Sequence, residues 1–318
     1  MYPTTIEQDL IDWIADSSGG NLIGDDCAVL PGGRLVTSDM LMEGTHFDSN
    51  LSLEDLGWKA IAVNLSDVAA MGGIPQHLMI DLAMPDGFGK PAFLRLYRSM
   101  IDCAQKFHCD IAGGDLTRGK LLTIAVTVLG NIHENGCLFR SGAKVGDVVV
   151  VTGDFGASAA GLWMLQNNQF GFEHCRQAHC HPFPKFTQAW SLVSHTGSRG
   201  ALMDASDGLA DALIQISKAS SVGMEIDLSC LPMDEETRAV AKLAGVDPLT
   251  WALYGGEDYE LVASLPADTW QNWSEINKSG FKAIGRVTKE QSIVVRYEER
   301  PYPSLNLNQT FQHWSKFS

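Results

Sequence analysis

The sequence predicts a two-domain α/β (α+β) protein. Two observations lead there. Its 318 residues exceed what one ordinary core organises, and short apolar strands alternate with amphipathic helical stretches along both halves. Apolar residues make up 45% and charged residues 19%, the balance of a folded chain.

The elements follow in order. Thr5–Ala15 carries Ile6, Leu10, Trp13 and Ile14 at helical spacing, with Glu7 in the first turn. Cys27–Leu30 is a short strand after Gly24-Asp25-Asp26. Pro31-Gly32-Gly33 makes a turn, and a second strand, Leu35–Ser38, ends at Asp39. A long helix from Leu53 to Met71 stops at Gly72-Gly73 and Pro75. Leu78–Ala83 reads as a strand and Pro91–Phe107 as an amphipathic helix. Asp110–Ala112 is a short strand opening into Gly113-Gly114-Asp115, and Leu121–Gly130 is another strand. The polar, glycine-bearing run Arg140–Asp147 marks the domain boundary, giving residues 1–139 and 140–318. Beyond it, helices fall near Ala157–Gln166, Lys185–Ser194 and Leu209–Ala219. Strands fall at Val148–Thr152, Ala201–Asp204, Met224–Leu228, Tyr259–Ser264 and Ile293–Arg296.

Charge and cysteine usage narrow the function. With 23 Lys+Arg against 38 Asp+Glu, the net charge of −15 argues against nucleic-acid or anionic-membrane partners. No apolar run is long enough to span a bilayer. Met1–Leu10 holds two acids and no basic residue, unlike a secretory or transit signal, so a cytoplasmic protein is expected. The seven cysteines form no C-x-x-C pair and read as reduced, small hydrophobes. His174-Cys175 and His179-Cys180-His181 are dense in metal-binding side chains. Their spacing matches no standard structural zinc site, and the segment reads as a loop with incidental thiols.

Five acidic clusters share one local design: Gly24-Asp25-Asp26, Thr37-Ser38-Asp39, Gly113-Gly114-Asp115, Asp204-Ala205-Ser206-Asp207-Gly208 and Gly255-Gly256-Glu257-Asp258. Each lies at a strand end or a glycine turn, where a carboxylate projects from a sheet rim and a ligand can approach closely. Any one of them alone reads as an ordinary turn. Asp67 adds a sixth carboxylate, on an otherwise apolar helix and sharing a face with Asn64. Repelling carboxylates with oxygen-only chemistry suit Mg²⁺, which also bridges substrate phosphates. No G-x-x-x-x-G-K-[ST] is present, nor the H-R-D and D-F-G set, so neither a Walker-type nor a protein-kinase site is expected.

These residues carry a resemblance. Gly24–Asp26, Asp39-Met-Leu-Met-Glu-Gly-Thr-His-Phe47, Trp58–Gly72, Gly113-Gly-Asp-Leu-Thr-Arg118, Arg140–Asp147, Asp204-Ala-Ser-Asp-Gly-Leu209 and Gly255-Gly-Glu-Asp-Tyr-Glu-Leu261 resemble the thiamine-monophosphate kinases, in that family's order and over nearly the whole chain. The wider superfamily includes aminoimidazole ribonucleotide synthetase. The resemblance implies two α/β domains and a homodimer whose N-terminal sheets close into a barrel. It implies that Asp26, Thr37, Ser38, Asp39, Asp67, Asp115, Asp204 and Asp207 would hold Mg²⁺, and that Tyr97, Gly114, Asp115, Arg140 and Ser206 would contact ATP. His46, Glu257 and a C-terminal aromatic such as Trp314 would meet thiamine monophosphate, with Asp39, Asp67 and Asp115 at the reacting phosphates. Glu257 suits either the aminopyrimidine or the cationic thiazolium. Three positions depart from the family pattern: Ser38 for Thr, Ala205 for a larger residue, and Lys185 for Arg. The competing readings are another ATP-dependent synthetase of the superfamily and a non-catalytic nucleotide-binding regulator.

Overall fold

A computed structural model describes residues 6–19, 22–274 and 278–310. In chain order its elements begin with α1 (Ile6–Ser18), β1 (Ala28–Leu30), β2 (Arg34–Met42), α2 (Leu53–Ala70), β3 (Ile74–Met84), α3 (Lys90–Lys106), β4 (Asp110–Gly113), β5 (Leu116–Arg118) and β6 (Thr123–Asn131). The second half holds β7 (Val148–Val151), α4 (Ala157–Gln166), α5 (Glu173–Cys180), α6 (Phe186–Thr196), β8 (Ala201–Asp204), α7 (Leu209–Ser220), β9 (Gly223–Asp227), α8 (Glu235–Ala244) and α9 (Pro248–Tyr254). It ends with β10 (Leu261–Leu265), α10 (Ala267–Asn272), β11 (Lys282–Thr288), β12 (Ile293–Tyr297) and β13 (Arg300–Pro301).

The strands form two sheets. The first runs β1-β2-β6-β3-β4, with β5 also paired to β3, and the second runs β13-β12-β9-β11-β7-β10-β8. Pairing is antiparallel except where β3 meets β4 and β5, and where β12 meets β9. The expected division at 139/140 falls between β6 and β7.

The first sheet has two unlike faces. Leu35, Leu41, Leu78, Ile80, Leu82, Ile124, Val126 and Val128 are buried on the face that packs with α2 and α3. Alternation sends Met40 and Met79 to the other face, where they are 51% and 43% exposed. The two halves interlock, because Cys180 and Phe186 join the N-terminal core while Ala70 and Leu138 join a core of the C-terminal half.

α2 is the central element. Ser52 caps it by accepting from the Asp55 amide, with Glu54 and Asp55 in its first turn. From Leu56 to Ala70 almost every residue is buried, Lys59, Asn64 and Ser66 included. A helix enclosed on all sides has no solvated face for polar side chains, so its polar residues must find partners inside the protein.

Two expectations change. β2 continues past Asp39 to Met42 because it pairs with β6 along nine residues, from Arg34↔Asn131 to Met42↔Thr123. Asp39 therefore sits within the ladder rather than on a sheet rim. The His174–His181 segment is not a loop: it forms α5, whose Cys175, His179 and Cys180 are buried.

Candidate active site

A cleft of about 520 Å³ opens between the two halves. Asp25, Asp26, Thr37, Asp39, His46, Asp67, Arg140, Ser206, Asp207 and Glu257 line it. Side chains from the first sheet, from α2 and from the loops after β8 and α9 therefore converge, although they lie far apart in sequence.

Three carboxylates gather here: Asp26 and Asp67 line the cleft, and Asp204 is buried against them. Asp26, Asp67 and Asp204 each offer an oxygen, and these atoms all lie within 4.8 Å of one another. Asp67 accepts from Thr37 Oγ1 at 2.6 Å. Asp204, 1% exposed, accepts from Ser66 Oγ through Oδ2, while its buried Oδ1 has no hydrogen-bond partner among the described residues. Burial, then the charges of Asp39, Asp204 and Asp26, push the Asp67 carboxyl well above the usual carboxylate range. Burial and Asp26 push Asp204 up to about 7. Such a cluster cannot stay fully ionised without a counter-charge. The donors are hard oxygens only, one is orphaned, and two of the three groups line the cleft. That arrangement fits a divalent cation of the Mg²⁺ type.

Arg140 supplies the nearby cation. Its Nη2 donates to Asp26 Oδ1 at 2.7 Å and its Nε to Asp26 Oδ2 at 3.4 Å, while its main-chain amide donates to Asp25 Oδ1 at 2.6 Å. Its guanidinium therefore forks onto Asp26 at the edge of the cleft.

The Gly255–Leu261 motif gives its acids separate roles. Gly256 (φ 69°), Glu257 (φ 57°) and Tyr259 (φ 50°) take left-handed backbone, and Glu257 N donates to Ser206 O at 2.6 Å. Glu257 and Tyr259 line the cleft. Asp258 points elsewhere and accepts from the Gly156 and Ser158 amides at 2.8 and 3.0 Å, capping α4. Glu260 pairs with Lys185 Nζ at 2.7 Å and accepts from Thr152 Oγ1. Lys185, a departure from the family pattern, thus neutralises a buried carboxylate.

His46 Nδ1 accepts from the Met42 amide at 3.0 Å, which fixes the ring in the cleft wall. Ser38 lies on the opposite face of β2, where its Oγ donates to Val126 O and accepts from Thr127 Oγ1. Tyr97 stacks on Phe93 along α3, at a centroid distance of 5.1 Å. Asp115 is exposed beside Gly114, its amide donating to Asp81 Oδ1 at 2.7 Å. Ser38, Tyr97, Gly114 and Asp115 do not line the cleft. Trp314 lies outside the described residues.

Sequence reasoning missed Lys59 and His179. Lys59 Nζ lies 2.8 Å from Glu257 Oε1 and 3.4 Å from His179 Nε2. The available signals were a lysine inside a largely apolar helix and the histidine of the dense His/Cys segment. The rest of that segment disperses. Cys175 meets Thr237, and His181 bonds Asp55 at 2.6 Å. Burial pushes the Cys175 and Cys180 thiols up to about 11, which makes them poor metal ligands. Of this segment's described residues, only His174 falls in a group of three metal-binding side chains, with Asp154 and Asp234.

Known proteins bear on this geometry directly. Residues 24–132 match the AIR synthase related protein N-terminal domain, and residues 144–298 match its C-terminal domain. Thiamine-monophosphate kinase of Synechococcus elongatus is 37% identical over 305 residues, covering 92% of this chain and 91% of the relative. That of Escherichia coli K12 is 39% identical over 257 residues, covering 77% of this chain and 76% of the relative. This chain belongs to the thiamine-monophosphate kinase family. A solved structure described as AaThiL complexed with AMPPCP and TMP superposes with a TM-score of 0.84 at 30% identity, covering 95% of this chain and 99% of that one. Family membership makes the protein a kinase with the two-domain AIR synthase-like fold. Among the described residues, no helix is long and apolar enough to cross a membrane.

Proposed function

We propose that this protein transfers the γ-phosphoryl group of ATP to thiamine monophosphate, giving thiamine diphosphate and ADP. The observation that supports the reading is the Asp26–Asp67–Asp204 trio, an oxygen-only group suited to a cation, two of whose members line a cleft between the domains of a kinase family. Bound there, Mg²⁺ would neutralise phosphate charge and align the attacking and leaving oxygens.

The remaining roles belong to the chain's own residues. The acceptor is a phosphate oxygen already anionic at neutral pH, so no strong general base is required. Asp26, Asp67 and Asp204 would hold the cation, with Thr37, Asp39 and Asp207 beside them in the same cleft. Arg140 presents a forked cation to phosphate, and Ser206 offers a hydroxyl. His46 and Glu257 form the wall assigned to the acceptor. We assign residues 1–139 to ATP binding, metal binding and dimerisation, and residues 140–318 to the second α/β domain. The homodimer would form on the open face of the first sheet, where Met40 and Met79 are exposed. Ser38, Gly114, Asp115 and Tyr97 keep their proposed metal and nucleotide roles through that assembled form. A cytoplasmic location accords with an ATP-using kinase.

The test is ADP release from ATP with thiamine monophosphate as acceptor, with and without Mg²⁺. Acceptor-dependent release that chelation abolishes is expected. Nucleotide binding without turnover would instead favour a non-catalytic regulator.

A further inference from the structure

Glu257 is held from behind by a buried cation. Lys59 is 1% exposed on α2, and its ammonium meets Glu257 Oε1 and His179 Nε2 at 2.8 and 3.4 Å. An ammonium can only donate, so His179 Nε2 accepts and the proton of the neutral ring lies on Nδ1. Nδ1 stands 3.1 Å from Ser158 Oγ and 3.5 Å from Glu257 Oε2. Burial and the Lys59 charge push His179 down to about 4, which keeps the ring neutral. Although burial acts to raise the Glu257 carboxyl, Lys59, by its charge and its hydrogen bond, holds it below its ordinary value. Other ionisable groups near it include His46, which also lines the cleft, and its chain neighbours Asp258, turned onto the α4 N-terminus, and Tyr259.

The Lys59–His179–Glu257 group thus sums to zero charge: one ammonium, one carboxylate and a neutral imidazole. Its carboxylate is immobilised by two side chains and by left-handed backbone, and it keeps 28% of its side chain open to the cleft. What it offers a ligand is an oriented acceptor without a net negative charge. The two possible roles of Glu257, counter-ion or hydrogen-bond acceptor, are therefore not equivalent.

We propose that Lys59 and His179 are positioning residues that make Glu257 a fixed, charge-compensated acceptor for an N–H donor on the acceptor's heteroaromatic ring, rather than a counter-ion for its cationic ring. The inference rests on the reading that Glu257 meets the acceptor. In thiamine monophosphate the matching donor is the amine of the aminopyrimidine.

The experiment uses the full chain as wild type, E257Q, K59M and K59M/E257Q, each checked for folding by thermal melting. KM is measured separately for thiamine monophosphate and for ATP. Two analogues accompany the natural acceptor, one lacking the pyrimidine amine and one with an uncharged ring in place of the thiazolium. K59M is expected to raise KM for the acceptor roughly ten- to hundredfold, the range for losing a hydrogen bond to a charged group, with KM for ATP nearly unchanged. E257Q is expected to couple with loss of the amine and to be additive with loss of the ring charge. Coupling to the ring charge instead overturns the proposal. So does an acceptor KM unchanged in K59M while E257Q raises it, an outcome that leaves the Glu257 reading standing. An unchanged acceptor KM in E257Q refutes that reading itself. Where K59M fails to fold, the neutral pair in K59M/E257Q keeps the position testable. It is expected to fold with the acceptor defect of E257Q, and the E257Q analogue cycle then decides.

Discussion

Ser66 on α2 donates its hydroxyl to Asp204 at the end of β8, joining the N-terminal domain's central helix to the C-terminal domain's sheet across 138 residues. The bond engages one Asp204 oxygen and leaves the other buried beside Asp26 and Asp67. The junction of the two domains therefore lies against the cleft, and a cation held there would act on the stability of both.

The first prediction concerns pH. Asp204 has its folded-state pKa raised to about 7, and Asp67 is raised well above the usual value. Between the ordinary carboxylate value and about 7, the native protein binds more protons than the unfolded chain, so stability falls as pH rises. In EDTA the melting temperature should be higher near pH 5.5 than near pH 8. Millimolar Mg²⁺ should remove most of that difference by supplying the missing counter-charge. A metal-free protein that melts higher at the alkaline end contradicts this account of the trio.

Asp67→Asn should separate fold from activity. The amide keeps an oxygen for the Thr37 hydroxyl and removes a repelling charge from a buried cluster. We expect a metal-free melting temperature equal to or above wild type near pH 8. Turnover should drop by roughly 10²–10³-fold, the range for losing one element of transition-state charge stabilisation. Melting curves and an ADP-release assay measure both.

Much of the fold was legible in the sequence because its signals are local. Ala157–Gln166 and Ala201–Asp204 match their expected bounds, since a glycine turn precedes each and the apolar pattern is unbroken. α8 and α9 were missed. They are short, and their starts depend on Asp234 and Asp247 each accepting an amide two residues onward, a device equally common in plain turns. The cleft was half legible. Asp26, Asp67 and Asp204 announce themselves as carboxylates near glycines or on an apolar helix. Their convergence is tertiary, and so is the link from Lys59 to His179 across 120 residues, which no local pattern records.

The open face of the first sheet carries the dimer prediction. Met40 and Met79 are large apolar side chains that the described residues leave exposed on this face. The double variant Met40→Asp, Met79→Asp should fold, because neither residue belongs to the buried core. It should run as a monomer in size exclusion with light scattering, where wild type is expected as a dimer. A double variant that stays dimeric places the interface elsewhere.

Gly142 tests how tightly the Arg140 segment is docked. A Cβ at this position would stand 1.7 Å from Gly200 O, a backbone atom that cannot rotate away. Gly142→Ala must therefore separate the Arg140–Gly142 turn from the residues leading into β8. A loss of about 3 kcal/mol or more is expected, in the class of severe steric substitutions. Chemical denaturation measures it directly. Loss of soluble protein would agree, and near-wild-type stability would show that the two segments can part.

Arg140 tests which cation Asp26 depends on. The guanidinium spans both Asp26 oxygens, whose side chain is only 2% exposed, so Arg140→Met leaves a buried carboxylate without its partner. Removing one partner of such a pair usually costs about 3–5 kcal/mol. The metal-free variant should melt well below wild type. Because Asp26 also belongs to the proposed cation trio, added Mg²⁺ should recover more stability in Arg140→Met than in wild type. Arg140→Lys keeps the charge and loses the fork. It should melt near wild type yet raise KM for ATP, because a single ammonium cannot engage Asp26 and a phosphate with the same geometry. If Mg²⁺ fails to restore Arg140→Met, Asp26 is an arginine partner alone, and the cation rests on Asp67 and Asp204.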